Sequence, residues 1–390
     1  MNRLSKAVEL LDRLVSFPTI SGSDNREVLD FVGEYLKSYG VTHRRVEGVG
    51  PQRENFFATI GDNNEHGIIL SGHLDVVPAD KDRWGADPFR LRRLDDRLLG
   101  RGAVDMKGFI AAVLASVPTW ADDTEAMPIH LAFSYDEELG CLGVNTLIES
   151  LTQLCAPPVA CLVGEPTGLV PVLAHKGKVA YRVIVRGRSG HSARPDQGVN
   201  AIHPAAKLMM AIDEIACSLQ AACLGSDGFD PPNSTLQVGR VEGGTSVNVI
   251  AEECAFSFEL RFLPDHDEAR ILSPFFALID QLRVENVGLQ ITIENLSRYP
   301  ALNQDQPSWL VNAVADASGR SPSGGVSFGT EAGIFQAAGI PSLVCGPGDM
   351  ARAHKEDEFI KIDEISDCLK MLDILIPRFT SSDQATYLNK

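Results

Sequence analysis

No apolar run in the 390-residue sequence approaches the roughly 20 residues that a membrane-spanning helix needs, so a helical integral membrane protein is excluded. Export is not expected either. Residues 1–16 alternate charges with Leu4, Val8, Leu11 and Val15 at helical spacing, which predicts an amphipathic helix and a cytoplasmic protein. None of the eight cysteines forms a C-x-x-C pair, and Cys161, Cys254 and Cys345 lie in or beside apolar runs, as free thiols in a reducing compartment do. Positive charge is scarce. With 35 Lys and Arg against 52 Asp and Glu the net charge is −17, which argues against a nucleic-acid partner, because phosphate binding needs clustered cations. Residues 100–105 resemble a dinucleotide-binding turn but carry Asp105 where the third glycine belongs, so a nucleotide cofactor is set aside. Internal repeats and low-complexity tracts are absent.

What is present is a chain long enough for two domains, 44% hydrophobic and of mixed charge, hence globular. Strand-like runs at 67–71, 129–135 and 160–163 alternate with helical patterns, the rhythm of an α/β sheet. An apolar helix is expected over 106–117, ended by Pro118. A different order follows: strand 179–185, helix 200–219, strands 236–241 and 249–262, helix 267–282 and strand 289–293. This β-α-β-β-α-β succession predicts a ferredoxin-like domain, residues 178–295, inserted in a catalytic domain made of 1–177 and 296–390. The catalytic part is expected to be a mixed sheet flanked by helices.

Acidic and histidine side chains recur just after the strands. His73 and Asp75 stand two apart in an extended segment, so both emerge on one face, His73 to ligate a cation and Asp75 to orient its ring. Asp105 could simply cap a helix, yet a carboxylate can bridge two cations, and strand ends about 4.8 Å apart gather ligands around one centre. Asp136, Glu137 and Glu138 would repel one another unless cations or solvent relieved them. Glu138 is assigned to metal and Glu137 to the proton of an attacking water. Glu165 closes a strand before Pro166, and His354 follows residues 342–348 with Glu356, Asp357 and Glu358 as outer partners. Each residue alone has a bland reading as cap, turn or surface polar group. Five independent segments delivering ligands at equivalent positions favour a two-metal hydrolytic site. Among the other histidines only His191, in the glycine-rich turn 187–192, looks like a mobile catalytic residue.

These segments, in this order and with this insertion, resemble the M20 family of metallopeptidases and deacylases across essentially the whole chain. The likeness is carried by Arg83-Trp84, Asp87-Pro88-Phe89, Ala103-Val104-Asp105-Met106-Lys107-Gly108, Gly164-Glu165-Pro166-Thr167, Ala174-His175-Lys176-Gly177, Gly346-Pro347-Gly348 and Ala353-His354. The resemblance implies two divalent ions, zinc or else cobalt or manganese. One would sit on His73 and Glu165, the other on Glu138 and His354, with Asp105 and a water or hydroxide bridging, Glu137 as general base and a cis peptide after Asp105. It also implies that 178–295 is a lid able to form a homodimer, with His191 stabilising an oxyanion, Arg261 gripping an α-carboxylate and Asn248 adding a contact. Thr330 and Glu331 are further substrate candidates, Glu331 for a distal ammonium. The implied activity is removal of the acetyl group from N2-acetyl-L-ornithine in arginine biosynthesis. N-succinyl-diaminopimelate or general N-acyl amino acids are the alternative substrates. A non-catalytic binding protein on the same fold is the alternative of another class, and it would have lost the base or the ligands.

Overall fold

The computed structural model describes residues 2–122, 127–222, 228–304 and 308–379. The chain divides into two compact units, Met1–Ala174 with Leu302–Gly324 and Thr330–Lys390, and His175–Ala301 with Gly325–Gly329. The second unit thus runs from 175 rather than 178 and to 301 rather than 295. Its outer limits follow from strands Gly177–Arg186 and Gln290–Tyr299, which pair from Arg186 opposite Gln290 to Lys178 opposite Tyr299.

In the first unit a mixed sheet is built around strand Ile68–His73, which lies between two parallel neighbours, Ile129–Ser134 and Ala160–Pro166. Ser342–Gly346 adds a further parallel strand beside Ala160–Pro166. Antiparallel strands Glu54–Ile60 and His43–Glu47 complete one side, and Val172–His175 lies antiparallel on the other. The four parallel strands are buried along their whole length, which is why they read as continuous apolar runs rather than alternating ones. Ile68, Leu70, Leu131, Leu162 and Leu343 share one core with helices Arg3–Val15, Gly108–Ala121 and Ile362–Leu375. The N-terminal helix buries Ala7, Leu10, Leu11, Leu14 and Val15, with Leu4 and Val8 only partly covered, and Asn2 caps it by accepting from Ser5 N at 2.7 Å.

Two local expectations are corrected. The apolar helix begins at Gly108, not 106, because Asp105 and Met106 hold non-helical backbone angles in a separate turn, Ala103–Lys107. It also continues through Pro118 to Ala121. A proline inside a helix strands the carbonyl four residues back, and here Leu114 O accepts instead from Tyr35 Oη at 3.1 Å.

The second unit is a four-stranded antiparallel sheet in the order Thr235–Gly243, Glu253–Phe262, Gly177–Arg186, Gln290–Tyr299, with helices Ile202–Ala221 and Glu268–Glu285. That is the ferredoxin-like arrangement. Alternate residues Val179, Val183, Val185, Phe256, Phe258 and Leu260 pack on Leu208, Ile212, Phe275 and Ile279. The strand expected over 249–262 is broken in two. Ala251 O accepts from Ala201 N and Glu252 O from Gly187 N, both at 2.8 Å, so Val249–Ile250 pairs separately with Gly190–His191.

Candidate metal centre

The carboxyl ends of adjacent parallel strands are where open α/β sheets hold ligands, and the acidic and histidine residues collect there. His73 ends its strand opposite Ser134, so the loop with Asp136, Glu137 and Glu138 emerges beside it, while Glu165 comes from the neighbour on the other side. Asp105 sits in the turn before the apolar helix, followed by a cis peptide to Met106. Its side chain does not cap the helix Gly108–Ala121 that follows.

Asp105 is the centre of the cluster. Its Oδ1 lies 3.0 Å from His73 Nε2 and its Oδ2 3.2 Å from His354 Nε2. His354 Nε2 also meets Glu138 Oε1 at 3.0 Å, and His73 Nε2 stands 3.7 Å from Glu165 Oε1. The set therefore has two halves that share one carboxylate. Ligand atoms of His73, Asp105 and Glu138 lie within 4.8 Å of one another, as do those of His73, Glu137 and Glu165. His73, Asp105 and Glu165 are buried, whereas the His354 side chain is 50% exposed.

Asp75 ties the loops together. Its Oδ1 accepts from Glu137 N at 3.1 Å and its Oδ2 from Glu138 N at 3.2 Å and Ser21 Oγ at 2.7 Å. His73 Nδ1 is nearer to Asp75 O, at 2.9 Å, than to Asp75 Oδ1, at 3.4 Å. Asp136 fixes the same loop, accepting from Gly22 N at 2.6 Å and Arg53 Nη1 at 2.5 Å. Glu358 accepts from Arg101 and from three backbone amides around Asp105. Ser21, Arg53 and Arg101 carried no signal in the sequence, because each acts through contacts distant along the chain. Glu358 was marked only as one of three acids near His354.

Burial works against ionisation throughout the cluster. It raises Glu165 well above the usual carboxyl range, with Asp105 adding to the shift, and raises Glu138 for the same reasons. Glu137 is pushed up to about 8 by burial, with the neighbouring carboxylates adding and His73 opposing. Burial alone would lower His73, yet hydrogen bonds to Asp105 and Asp75 and the charge of Glu165 hold it well above the imidazole range. Hydrogen bonds to Asp105 and Glu138 raise His354 to about 10. The carboxylates therefore favour the protonated form of both imidazoles. Imidazole and carboxylate donors crowded in this way fit divalent cations, which would relieve the same repulsion and leave the histidines neutral.

The remaining candidates are placed differently. In the second unit, His191 is exposed on the short Gly190–His191 strand, its Nδ1 accepting from Ala193 N at 3.1 Å. Exposed Asn248 is close by in the same unit, its carbonyl accepting from Ser192 N at 3.1 Å. Arg261 donates Nε to Glu259 Oε1 at 2.6 Å. In the first unit, Thr330 is buried, its Oγ1 accepting from Ala332 N, and Glu331 is 1% exposed with Oε2 accepting from Ser71 Oγ at 3.3 Å. Neither of these two presents an open contact surface, and burial pushes the Glu331 carboxyl up to about 7.

A carboxylate shared between two histidine-bearing halves, at the strand ends of a mixed sheet, is the equipment of a metal-dependent amidohydrolase. Residues 69–378 match the model of peptidase family M20/M25/M40, and the chain belongs to that family. It is 32% identical to an acetylornithine deacetylase of Vibrio campbellii over 380 residues, 95% of this chain and 97% of the relative. An acetylornithine deacetylase of Myxococcus xanthus is likewise 32% identical, over 95% of this chain and 96% of its own. Among solved structures, an M20 family metallo-carboxypeptidase from Sulfolobus solfataricus superposes with a TM-score of 0.76 at 18% identity, covering 96% of this chain and 99% of that one.

Proposed function

We propose that the protein removes the acetyl group from N2-acetyl-L-ornithine, giving L-ornithine and acetate as a step of arginine biosynthesis. Two divalent ions, zinc in the first instance, are assigned to His73 with Glu165 and to Glu138 with His354, Asp105 lying between them. The observation that carries this reading is Asp105, whose two oxygens face two different histidines at 3.0 and 3.2 Å. The choice of substrate is supported by the 32% identical relatives, which are named acetylornithine deacetylase.

Cations held by these ligands would supply Lewis acidity toward the amide carbonyl and make water acidic at neutral pH. Glu137, fastened at its backbone N–H by Asp75, accepts the proton of the attacking water. The water oxygen bonds to the acyl carbon, the carbonyl electron pair moves to its oxygen, and collapse breaks the C–N bond. Glu137 then hands the proton to the departing amine nitrogen. Positive charge nearby would pull Glu137 down from about 8 into the range where it is ionised at neutral pH. From the second unit, His191 is assigned to the tetrahedral oxyanion, Arg261 to the α-carboxylate and Asn248 to a further polar contact. Glu331 is assigned to favouring a cationic side chain by its charge. The outer edge of strand Thr235–Gly243, which ends its sheet, supports a homodimer through this unit.

The test is amine release by zinc-loaded protein from N2-acetyl-L-ornithine, N-succinyl-diaminopimelate and N-acetylmethionine, with Glu137→Gln alongside. The expected result is a clear preference for N2-acetyl-L-ornithine, with kcat reduced by about 10²- to 10⁴-fold in Glu137→Gln. Preference for another substrate would keep the chemistry and overturn the specificity. Full activity in Glu137→Gln would overturn the assignment of the base, and a Glu331→Gln protein that keeps its preference for the cationic substrate would remove Glu331 from specificity.

A further inference from the structure

Glu358 is 2% exposed and fills its hydrogen-bonding capacity on one short segment of chain. Its Oε2 accepts from Arg101 Nη1 at 2.7 Å and Gly102 N at 3.1 Å, and its Oε1 from Val104 N at 3.0 Å and Asp105 N at 3.2 Å. Only one of these four donors is a side chain. The other three are amides of the turn that carries Asp105, where Asp105 stands at φ −123°, ψ 93° and the backbone makes no regular helix. A buried amide without a partner is costly, and a carboxylate offers enough acceptor sites to satisfy several amides in a small space. An amide-bearing side chain of the same shape would turn one donor group toward these donors.

The backbone ensures that Glu358 arrives there. Strand Phe359–Lys361 pairs antiparallel with Arg97–Leu99, Phe359 lying opposite Leu99, and Glu358 O accepts from Gly100 N at 2.9 Å. This pairing lays the segment that follows His354 against the segment that leads into Asp105. His354, four residues before Glu358, holds its backbone at φ +58° and directs Nε2 to Asp105 Oδ2.

We propose that Glu358 is the positioning residue of the centre: by holding the 102–105 amides it orients the Asp105 carboxylate between His73 and His354, and through its strand it keeps His354 in register with that carboxylate. The inference rests on the reading of Asp105 as the group shared by two cations. Glu358 touches neither cation nor substrate. Its effect is transmitted through the turn, so its loss weakens the sharing of Asp105 more than it weakens any single ligand.

The experiment compares wild type, Glu358→Gln, Glu358→Asp and Arg101→Leu, all stripped of metal, by calorimetric titration with Zn2+ and by the visible absorption of the Co2+-loaded proteins, with circular dichroism as the check on folding. In the wild type, two equivalents are expected to bind. In Glu358→Gln, affinity for the second equivalent is expected to fall about tenfold or more, the Co2+ spectrum to change, and kcat to fall with little change in KM. Arg101→Leu, which removes the ion pair but leaves the three amide bonds, is expected to retain the second equivalent. If Glu358→Gln does not fold, Glu358→Asp keeps the charge opposite Arg101 with a shorter reach and is judged by the same loss of the second equivalent. Wild-type affinities and spectrum in a folded Glu358 variant would overturn the proposal while leaving the metal centre intact. An equal loss in Arg101→Leu would also overturn it, in favour of the ion pair alone. A wild-type protein that binds no divalent cation would overturn the centre and this proposal together.

Discussion

His130 shows how one buried side chain sets a pH limit on the fold independently of the metal centre. In strand Ile129–Ser134 its Nδ1 lies 3.0 Å from Thr59 Oγ1, its ring stacks on Phe57 at 5.4 Å, and Nε2 has no hydrogen-bond partner among the described residues. Burial lowers its pKa from 6.5 to about 4. Between those values the unfolded chain takes up a proton that the folded chain refuses. The stabilisation is complete above pH 6.5 and is lost as pH falls toward 4, by roughly 1.4 kcal/mol per pH unit. His130→Asn, which can keep the bond to Thr59, should show a stability slope shallower by about that amount between pH 6.5 and 5 in urea unfolding. Equal slopes in the two proteins would mean that His130 takes up its proton in the folded state.

At the scale of the element, the strand Ala160–Pro166 delivers Glu165 only because Gly164 has no side chain. A Cβ at Gly164 would lie 2.1 Å from the ring of Phe109, the second residue of the helix Gly108–Ala121. Strand and helix therefore approach at the one point where Glu165 and Asp105 must both face the centre. Gly164→Ala should destabilise by about 1 to 3 kcal/mol through overpacking and should lower metal content, and Phe109→Leu added to it should restore part of both. Thermal unfolding and metal analysis of the single and double variants decide this. An unchanged midpoint and metal content in Gly164→Ala would show that Phe109 gives way freely. The same helix illustrates repair of a local fault, since Tyr35 Oη supplies the donor that Pro118 removes.

At the scale of the whole molecule, the two units have separate cores, and the clustered candidate ligands His73, Asp105, Glu138, Glu165 and His354 all belong to the first. No described helix is long and apolar enough to cross a membrane. A ligand that binds only the folded state stabilises it by RT ln(1 + [L]/Kd), about 2.7 kcal/mol at a hundredfold excess over Kd. Zinc loading should therefore slow hydrogen exchange in the segments around His73, Asp105, Glu137, Glu165 and His354. Strand Gly177–Arg186 in the core of the second unit should change little, and a chelator should reverse the effect. Uniform protection across both units would mean that they unfold as one body, and no protection anywhere would count against the centre itself.

Much of this was legible along the chain. Continuous apolar runs marked the parallel strands, because strands buried on both faces need no alternation, and the acids and histidines that follow them fell at strand ends by simple adjacency. The order of strands and helices in the inserted unit was likewise a local property, since alternation and helical spacing are each set by residues a few positions apart. The sequence could not show that the helix survives Pro118, that Ala251 and Glu252 break a strand, or that Asp75 and Glu358 hold backbone amides of other loops. Each depends on a hydrogen-bond partner at least 50 positions away, Tyr35 to Leu114, Ala201 to Ala251, Asp75 to Glu137 and Glu358 to Asp105. Composition and periodicity carry no information about such partners, so only the folded chain, by bringing them within 3.2 Å, decides which buried polar groups are satisfied and where the ligands point.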